Sequence, residues 1–267
     1  MDLTKTTVAT HSPCGSTLLA CRAVAAGTGL ATDETDLTQG SRPEPVDPGS
    51  LVIMGAPTTG GALSPTASQH LSRMHTAFSP CVLVCAYGDR NPGHCLHDLA
   101  ELAPSLGLVP VAGVLAPVQH VMVPALGADR PTEDDLETYR SFGRQVAEAL
   151  KEADGLFDLP PVALPTPACP TQRLELGLVA ECDPAACVGC GACAGACPVG
   201  CIPPDEPYLT DTERCDGCMA CIAVCPVRAR FLSDSERLAA MDEAYTATWD
   251  GPHEPCLFLG ARETLKA

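Results

Sequence analysis

Residues 187–202 read CVGCGACAGACPVGCI and residues 215–230 read CDGCMACIAVCPVRAR. Both place their cysteines alike: Cys187-x2-Cys190-x2-Cys193-x3-Cys197-Pro198, then Cys215-x2-Cys218-x2-Cys221-x3-Cys225-Pro226. The stretches agree at 8 of 16 positions in register and begin 28 residues apart, which marks an internal duplication. A cubane iron–sulfur cluster needs four soft thiolates around a compact, partly dry site. Two-residue gaps let a tight turn aim three sulfurs at one centre, and a remote cysteine completes the set. Zinc is the plainer alternative, but zinc sites take paired C-x2-C units, not a third cysteine in step followed by Cys-Pro.

In this pattern the fourth cysteine belongs to the other cluster. Cys187, Cys190, Cys193 and Cys225 are therefore expected to hold one [4Fe-4S] cluster, and Cys215, Cys218, Cys221 and Cys197 the other. Pro198 and Pro226 fix φ and remove an N–H behind each remote ligand. Residues 180–232 closely resemble bacterial two-cluster ferredoxins, with one departure: CPVGCI here against CPVGAI in that family puts a cysteine at 201. Cys201 reads as a small buried side chain, with a spare thiol as the alternative, and Cys182 reads likewise.

The 267-residue chain carries 33 acidic and 16 basic side chains, a formal charge of −17. That excludes the basic footprint of a nucleic-acid binder and a polybasic membrane anchor. It suits a solvated surface or docking to a basic partner. The start, MDLTKTTVATHSP, has no apolar leader core, and the longest apolar stretch, Leu106–Val118, is broken by Pro110, Gly113 and Pro117. No membrane insertion is expected, and a cytoplasmic location is. Seventeen cysteines in a reducing compartment point to metal binding rather than disulfides.

The first 154 residues alternate apolar runs (Thr6–Thr10, Leu51–Gly55, Cys81–Ala86, Leu108–Leu115) with helical stretches near Thr17–Ala26, Pro65–Met74 and His94–Leu106. Thr6–Thr10 is short and rich in threonine; the other three runs are continuous and apolar, as parallel strands covered on both faces should be. Thr132 followed by Asp135 is a capping-box pattern, and Leu136, Tyr139, Phe142, Val146 and Leu150 recur at helical spacing. Cys21, Cys81 and Cys85 read as core, and His94 and His97 as surface. Ligands bind beyond the carboxyl ends of such strands. The first loop there, Ser12-Pro13-Cys14-Gly15-Ser16-Thr17, offers hydroxyls, a glycine and a helix N-terminus able to cradle one phosphate, and it is not a Walker A loop. A mere N-cap is its plainer reading.

Two more loops follow, Ala56-Pro57-Thr58-Thr59-Gly60-Gly61 and Tyr87-Gly88-Asp89-Arg90-Asn91. Three loops in this order resemble the phosphate loop and two isoalloxazine loops of flavodoxin-like domains. The whole arrangement resembles the EFR-type ferrodoxins, a fusion of such a domain to a two-cluster ferredoxin. Their phrases SPTGTT, PVYGG and YGNRA are matched by SPCGST, PTTGG and YGDRN. The resemblance implies a flavodoxin-like, five-stranded, parallel doubly wound α/β sheet with FMN, then an α+β two-[4Fe-4S] ferredoxin domain, with electron transfer as the activity. FMN is expected at Ser12, Cys14, Gly15, Ser16, Thr17, Pro57, Thr58, Thr59, Gly60, Gly61, Tyr87, Gly88 and Asp89. Thr59 stands where the family carries a tyrosine able to stack on flavin, which leaves Tyr87 as the evident aromatic.

The expected organisation is 1–154 flavodoxin-like, 155–176 a linker with five prolines, 177–232 ferredoxin, and 233–267 a tail. The tail has a helix near Ser233–Met241 and is pinned by Leu257, Phe258 and Leu259. The leading function is an electron carrier between redox partner proteins. The rival is an FMN-dependent reductase fed by its own ferredoxin domain, with Tyr87 and Arg90 beside its substrate niche.

Overall fold

The apolar runs form a parallel sheet in the computed structural model, which describes every residue except 48, 157–158, 168–176, 233, 261–264 and 267. In chain order the elements of the α/β part are β1 (Lys5–Thr10), α1 (Ser16–Gly27), β2 (Thr32–Asp36), β3 (Ser50–Thr59), β4 (Ala62–Leu63), α2 (Pro65–Leu71), β5 (Ser79–Tyr87), α3 (Cys95–Leu102), β6 (Leu108–Pro117) and α4 (Glu133–Glu152). The parallel strands stand in the order β2-β1-β3-β5-β6, which is the flavodoxin-like doubly wound order. The second half of the proline-rich linker, 168–176, and the first residue of the expected tail helix, Ser233, lie outside the described residues.

Side chains alternate across the sheet, as the two-residue strand period requires. Val82 and Val84 join Val8, Leu51, Ile53 and Val114 under α1 and α4, where Tyr139 and Phe142 supply the bulk. Cys81, Leu83 and Cys85 point to the other face with Val52, Met54 and Leu99. Cys21, Cys81 and Cys85 are fully buried, as expected of small core thiols. The Thr132–Asp135 capping box is formed.

Three features depart from the expectations. The edge strand β2, sequence TDETD, carries no apolar pattern and pairs through its backbone with β1. The second loop is a tight hairpin instead of an open loop. β3 runs on to Thr59, Thr58 and Thr59 pair with Leu63 and Ala62, and Gly60 and Gly61 turn at φ 62° and 87°. His94 is buried, not on the surface, and its Nδ1 lies 2.7 Å from Asp98 Oδ1.

The C-terminal part returns to the same sheet. Through β7 (Ala180–Cys182), α5 (Ala192–Ala196), α6 (Ala220–Ala223) and β8 (Arg230–Leu232) the chain reaches α7 (Ser235–Thr248); β9 (Cys256–Leu259) then pairs antiparallel with β6, and β10 (Leu265–Lys266) with β9. Leu257 and Phe258 are buried there, so the tail is pinned as the apolar triplet suggested. The five parallel strands are thus the centre of a larger mixed sheet. Among the described residues no helix is long and apolar enough to cross a membrane.

α1 and α4 approach closely because glycine sits on both sides of the contact. A Cβ on Gly143 would stand 2.0 Å from the Val24 carbonyl oxygen, and one on Gly27 1.9 Å from that of Arg140. Gly143→Ala is expected to destabilise the fold by about 1–3 kcal/mol despite the better helix propensity of alanine. Urea unfolding measures this, and a neutral or stabilising result would contradict so tight a contact.

Candidate functional site

The ends of the duplicated segment are drawn together by β7 (Ala180–Cys182) and β8 (Arg230–Leu232), an antiparallel pair with Glu181 opposite Phe231. Between them lie two one-turn helices, α5 (Ala192–Ala196) and α6 (Ala220–Ala223), at matching places in the copies. The backbone repeats as well as the sequence. Left-handed residues occur at Gly189 and Gly217, at Gly191 and Met219, and at Gly200 and Arg228, three pairs each 28 residues apart. Met219 and Arg228 adopt φ of 63° and 54° without being glycine, at a steric cost of about 1–2 kcal/mol each. The turn that shapes the site is therefore retained even where the residue does not favour it.

Two hollows result. One is lined by Cys187, Cys190, Cys193 and Cys225, with Cys182 at its wall. The other is lined by Cys197, Cys215, Cys218 and Cys221, with Cys201 at its wall. Each hollow gathers three cysteines from one copy and one from the other. Among the described residues no three His, Cys, Asp or Glu side chains converge as the ligands of a single metal ion would. Each set puts four cysteines in the lining of one hollow, the number of thiolates that a four-iron cluster takes.

The remote cysteines are held alike. The N–H of Cys201 donates to Cys197 Sγ at 3.3 Å, and that of Ala229 to Cys225 Sγ at 3.2 Å. Burial raises the Cys225 thiol, but backbone N–H groups of Arg230, Val227, Ala229 and Arg228 outweigh it and leave the pKa below the ordinary value. Burial pushes Cys221 up to about 11 and Cys218 up to about 12, so both are protonated at neutral pH and must release protons when metal is bound. Cys201 is buried with its Sγ 3.3 Å from that of Cys197, and Cys182 is half-buried. Sequence reasoning passed over Arg230. Its guanidinium is buried beside the first hollow and donates to Thr210 Oγ1 at 2.5 Å, to the Leu209 carbonyl at 2.9 Å and to the Pro207 carbonyl. It ties down the segment between the copies and sets a fixed positive charge near the thiols.

The three strand-end loops lie at the carboxyl edge of the parallel strands. In the first, Ser12 Oγ accepts from the Leu18 N–H at 3.0 Å and the Ser12 N–H donates to Thr38 Oγ1 at 2.8 Å. Gly15 turns at φ 86°, and a Cβ there would meet nothing within 4 Å among the described residues. Ser16 and Thr17 open α1, so their N–H groups have no intrahelical acceptor, as a helix N-terminus that receives a phosphate requires. The Cys14 Sγ donates to the Cys218 carbonyl at 3.3 Å. Gln39 Nε2 donates to the Ala196 carbonyl at 3.0 Å. These two contacts seat the second hollow beside the first loop.

The second and third loops touch. The His94 N–H donates to the Gly61 carbonyl at 2.7 Å, behind the Thr58–Gly61 turn. Pro57, Thr58, Thr59 and Gly60 form its hairpin wall. Tyr87 is buried, its ring 6.2 Å from that of His253, and Gly88 follows it. Asp89 turns inward: its Oδ1 accepts from Arg130 at 3.1 Å and from the His253 N–H at 2.9 Å. Nine buried side-chain polar atoms lack a partner among the described residues. Six of these, Thr10 Oγ1, His11 Nδ1, Thr58 Oγ1, Asp89 Oδ2, Arg90 Nε and Trp249 Nε1, lie at this edge or on the segment beside it. Orphaned polar atoms gathered at one edge call for a ligand or ordered water. The residues present fit a flavin mononucleotide: a phosphate space at a helix N-terminus and polar groups awaiting partners along the loops that follow. Tyr245, Trp249 and His253 escaped the sequence reading, although their four-residue spacing beside the chain's sole tryptophan was a visible signal.

Residues 186–229 match the family described as 4Fe-4S dicluster domain. No curated protein matches the chain. Among solved structures, a flavodoxin from the domain Archaea is 16% identical, with 55% of this chain and 99% of that one covered and a TM-score of 0.38. The Flv1 flavodiiron core from Synechocystis sp. PCC6803 is 19% identical, with 57% of this chain and 37% of that one covered and a TM-score of 0.40. Such values add nothing to the strand order as a description of the fold.

Because the hollows cross between the copies, Cys225→Ser is expected to deplete the iron signal of the set containing Cys187, Cys190 and Cys193 and spare the other. Spectroscopy of the reduced variant distinguishes the two sets, and damage confined to the second would overturn the assignment.

Proposed function

We propose that this chain is an electron carrier of the EFR-type ferrodoxin kind, holding two [4Fe-4S] clusters in the crossed thiol sets and FMN at the three strand-end loops. The observation that carries the reading is the Cys14–Cys218 contact. It joins the loop suited to a flavin phosphate to the wall of the second thiol hollow. Bound clusters transfer electrons one at a time, and a bound flavin exchanges them singly or in pairs. The chain's own groups provide for this. Backbone N–H groups donate to the sulfurs of Cys197 and Cys225, the kind of contact that tunes a bound cluster. Exposed Cys190 and Val188 leave the first hollow open to a redox partner protein, while the second is turned toward the flavodoxin-like sheet.

A carrier is favoured over a reductase by the state of Arg90. Its guanidinium lies over the Tyr245 ring and donates to Thr248 Oγ1 at 3.3 Å, so the cation a substrate would meet is covered by α7. The FMN phosphate is assigned to Ser12, Cys14, Gly15, Ser16 and Thr17. That loop has one glycine, not the three that admit a dinucleotide pyrophosphate.

Anaerobically purified protein is expected to contain about eight irons and eight acid-labile sulfides per chain. Stoichiometric zinc without sulfide would overturn this. Added FMN is expected to lose its fluorescence on binding, and Ser16→Tyr, which fills the phosphate space, to abolish that quenching. No quenching of wild type at high micromolar FMN would limit the carrier to its iron–sulfur centres.

A further inference from the structure

The segment after the ferredoxin part returns to the ligand edge of the sheet before it pairs. Cys256 stands opposite Leu115 in the antiparallel β6–β9 ladder, so residues ahead of 256 project past the carboxyl end of β6. There Tyr245, Trp249 and His253 follow at four-residue intervals. Tyr245 lies 4.2 Å below the Arg90 guanidinium carbon and meets the His120 ring edge-on at 5.5 Å. His253 donates its backbone N–H to Asp89, and its Nδ1 is 3.0 Å from the Asp89 carbonyl oxygen. The neighbours of Trp249 on both sides thus grip the third loop. The indole N–H of Trp249 and Nε of Arg90 are buried without partners among the described residues.

α7 buries no residue of its own, so its position is not explained by core packing. Its contacts go to the loop that the flavin reading uses. That loop lacks an accessible aromatic, because Tyr87 is buried beneath the segment and the hairpin offers only Thr58 and Thr59. A flavin ring needs an aromatic or apolar face to lie against, and its carbonyl oxygens and ring nitrogens need donors.

We infer that residues 245–253 form the outer wall of the flavin site, with Trp249 supplying both the aromatic face and the N–H donor missing from the hairpin. This rests on the FMN reading above and adds to it a part of the chain beyond the three loops. His120 and Arg90 complete the wall's support: burial and the neighbouring guanidinium lower the His120 pKa to about 4, so it stays neutral beside the cation.

Trp249 is the chain's only tryptophan, so its emission reports on the site directly. FMN is titrated into the anaerobically prepared, cluster-loaded full-length protein while tryptophan emission and flavin fluorescence are followed together. Both are expected to fall with one dissociation constant. Trp249→Ala is expected to weaken FMN binding about tenfold. Trp249→Phe, which keeps a ring but no donor, is expected to recover part of the loss, with iron content unchanged in both variants. Equal affinity of wild type and Trp249→Ala would overturn the wall and leave the FMN reading standing. Tighter binding by Trp249→Ala would make the segment a plug and overturn the wall as well. If wild type shows no flavin response at all, the FMN reading itself fails and the wall with it.

Discussion

One guanidinium holds the working edge of the molecule together. Arg130 donates to Asp135 Oδ2 at 3.0 Å and Oδ1 at 2.5 Å, to Asp89 Oδ1 at 3.1 Å, and to the His253 carbonyl. Its three partners belong to the start of α4, the third strand-end loop and the C-terminal segment. The side chains are 9% exposed for Arg130, 6% for Asp135 and 0% for Asp89. Breaking a pair so buried costs about 3–5 kcal/mol, because the remaining charge is stranded. Asp135 also closes the capping box of α4 through Thr132, so the helix start and the loop are set by the same carboxylate–guanidinium group. The His253 end of the tail is fixed to the third loop on this frame, while Arg90 holds Tyr245 and Thr248 separately.

What could be read in the sequence follows from what each feature's residue pattern records. The thiol pattern is written locally, in the spacing of the cysteines, and the two copies line two hollows, each with three cysteines of one copy and one of the other. Buried parallel strands are written as unbroken apolar runs, and β3, β5 and β6 stand where those runs are. β2 was invisible because TDETD is an exposed edge held by ladder hydrogen bonds and by Lys5 with Asp33, and neither leaves a hydrophobic signature. Cys256–Leu259 announced an anchor in its apolar letters, yet not its partner: strand pairing across more than 130 residues is a property of the whole fold. Asp89 looked like a ligand group in a polar loop, and the structure spends one of its oxygens on Arg130 and His253.

The duplication gives the two hollows similar backbones and different surroundings. Cys190 and Val188 are exposed at the first, whereas Cys221 is buried and Cys218 leans on Cys14 at the second. Arg230 breaks the symmetry further, standing in the wall of the first hollow only. Water, dielectric and fixed charge are the protein's means of setting an iron–sulfur potential when ligands are the same. Equal turns with unequal environments are therefore a way to obtain two distinct sites from one repeated sequence.

The return of β9 to β6 makes the α/β unit discontinuous along the chain, with the thiol-rich unit enclosed between its last helix and its edge strand. During synthesis, then, the five parallel strands leave the ribosome long before the strand that covers β6. The flank of β6 that β9 covers stays open while the duplicated segment is made, and the chain that closes it must span that segment. Completion of the sheet edge thus comes after synthesis of its neighbour, an order that two modules joined end to end would not impose.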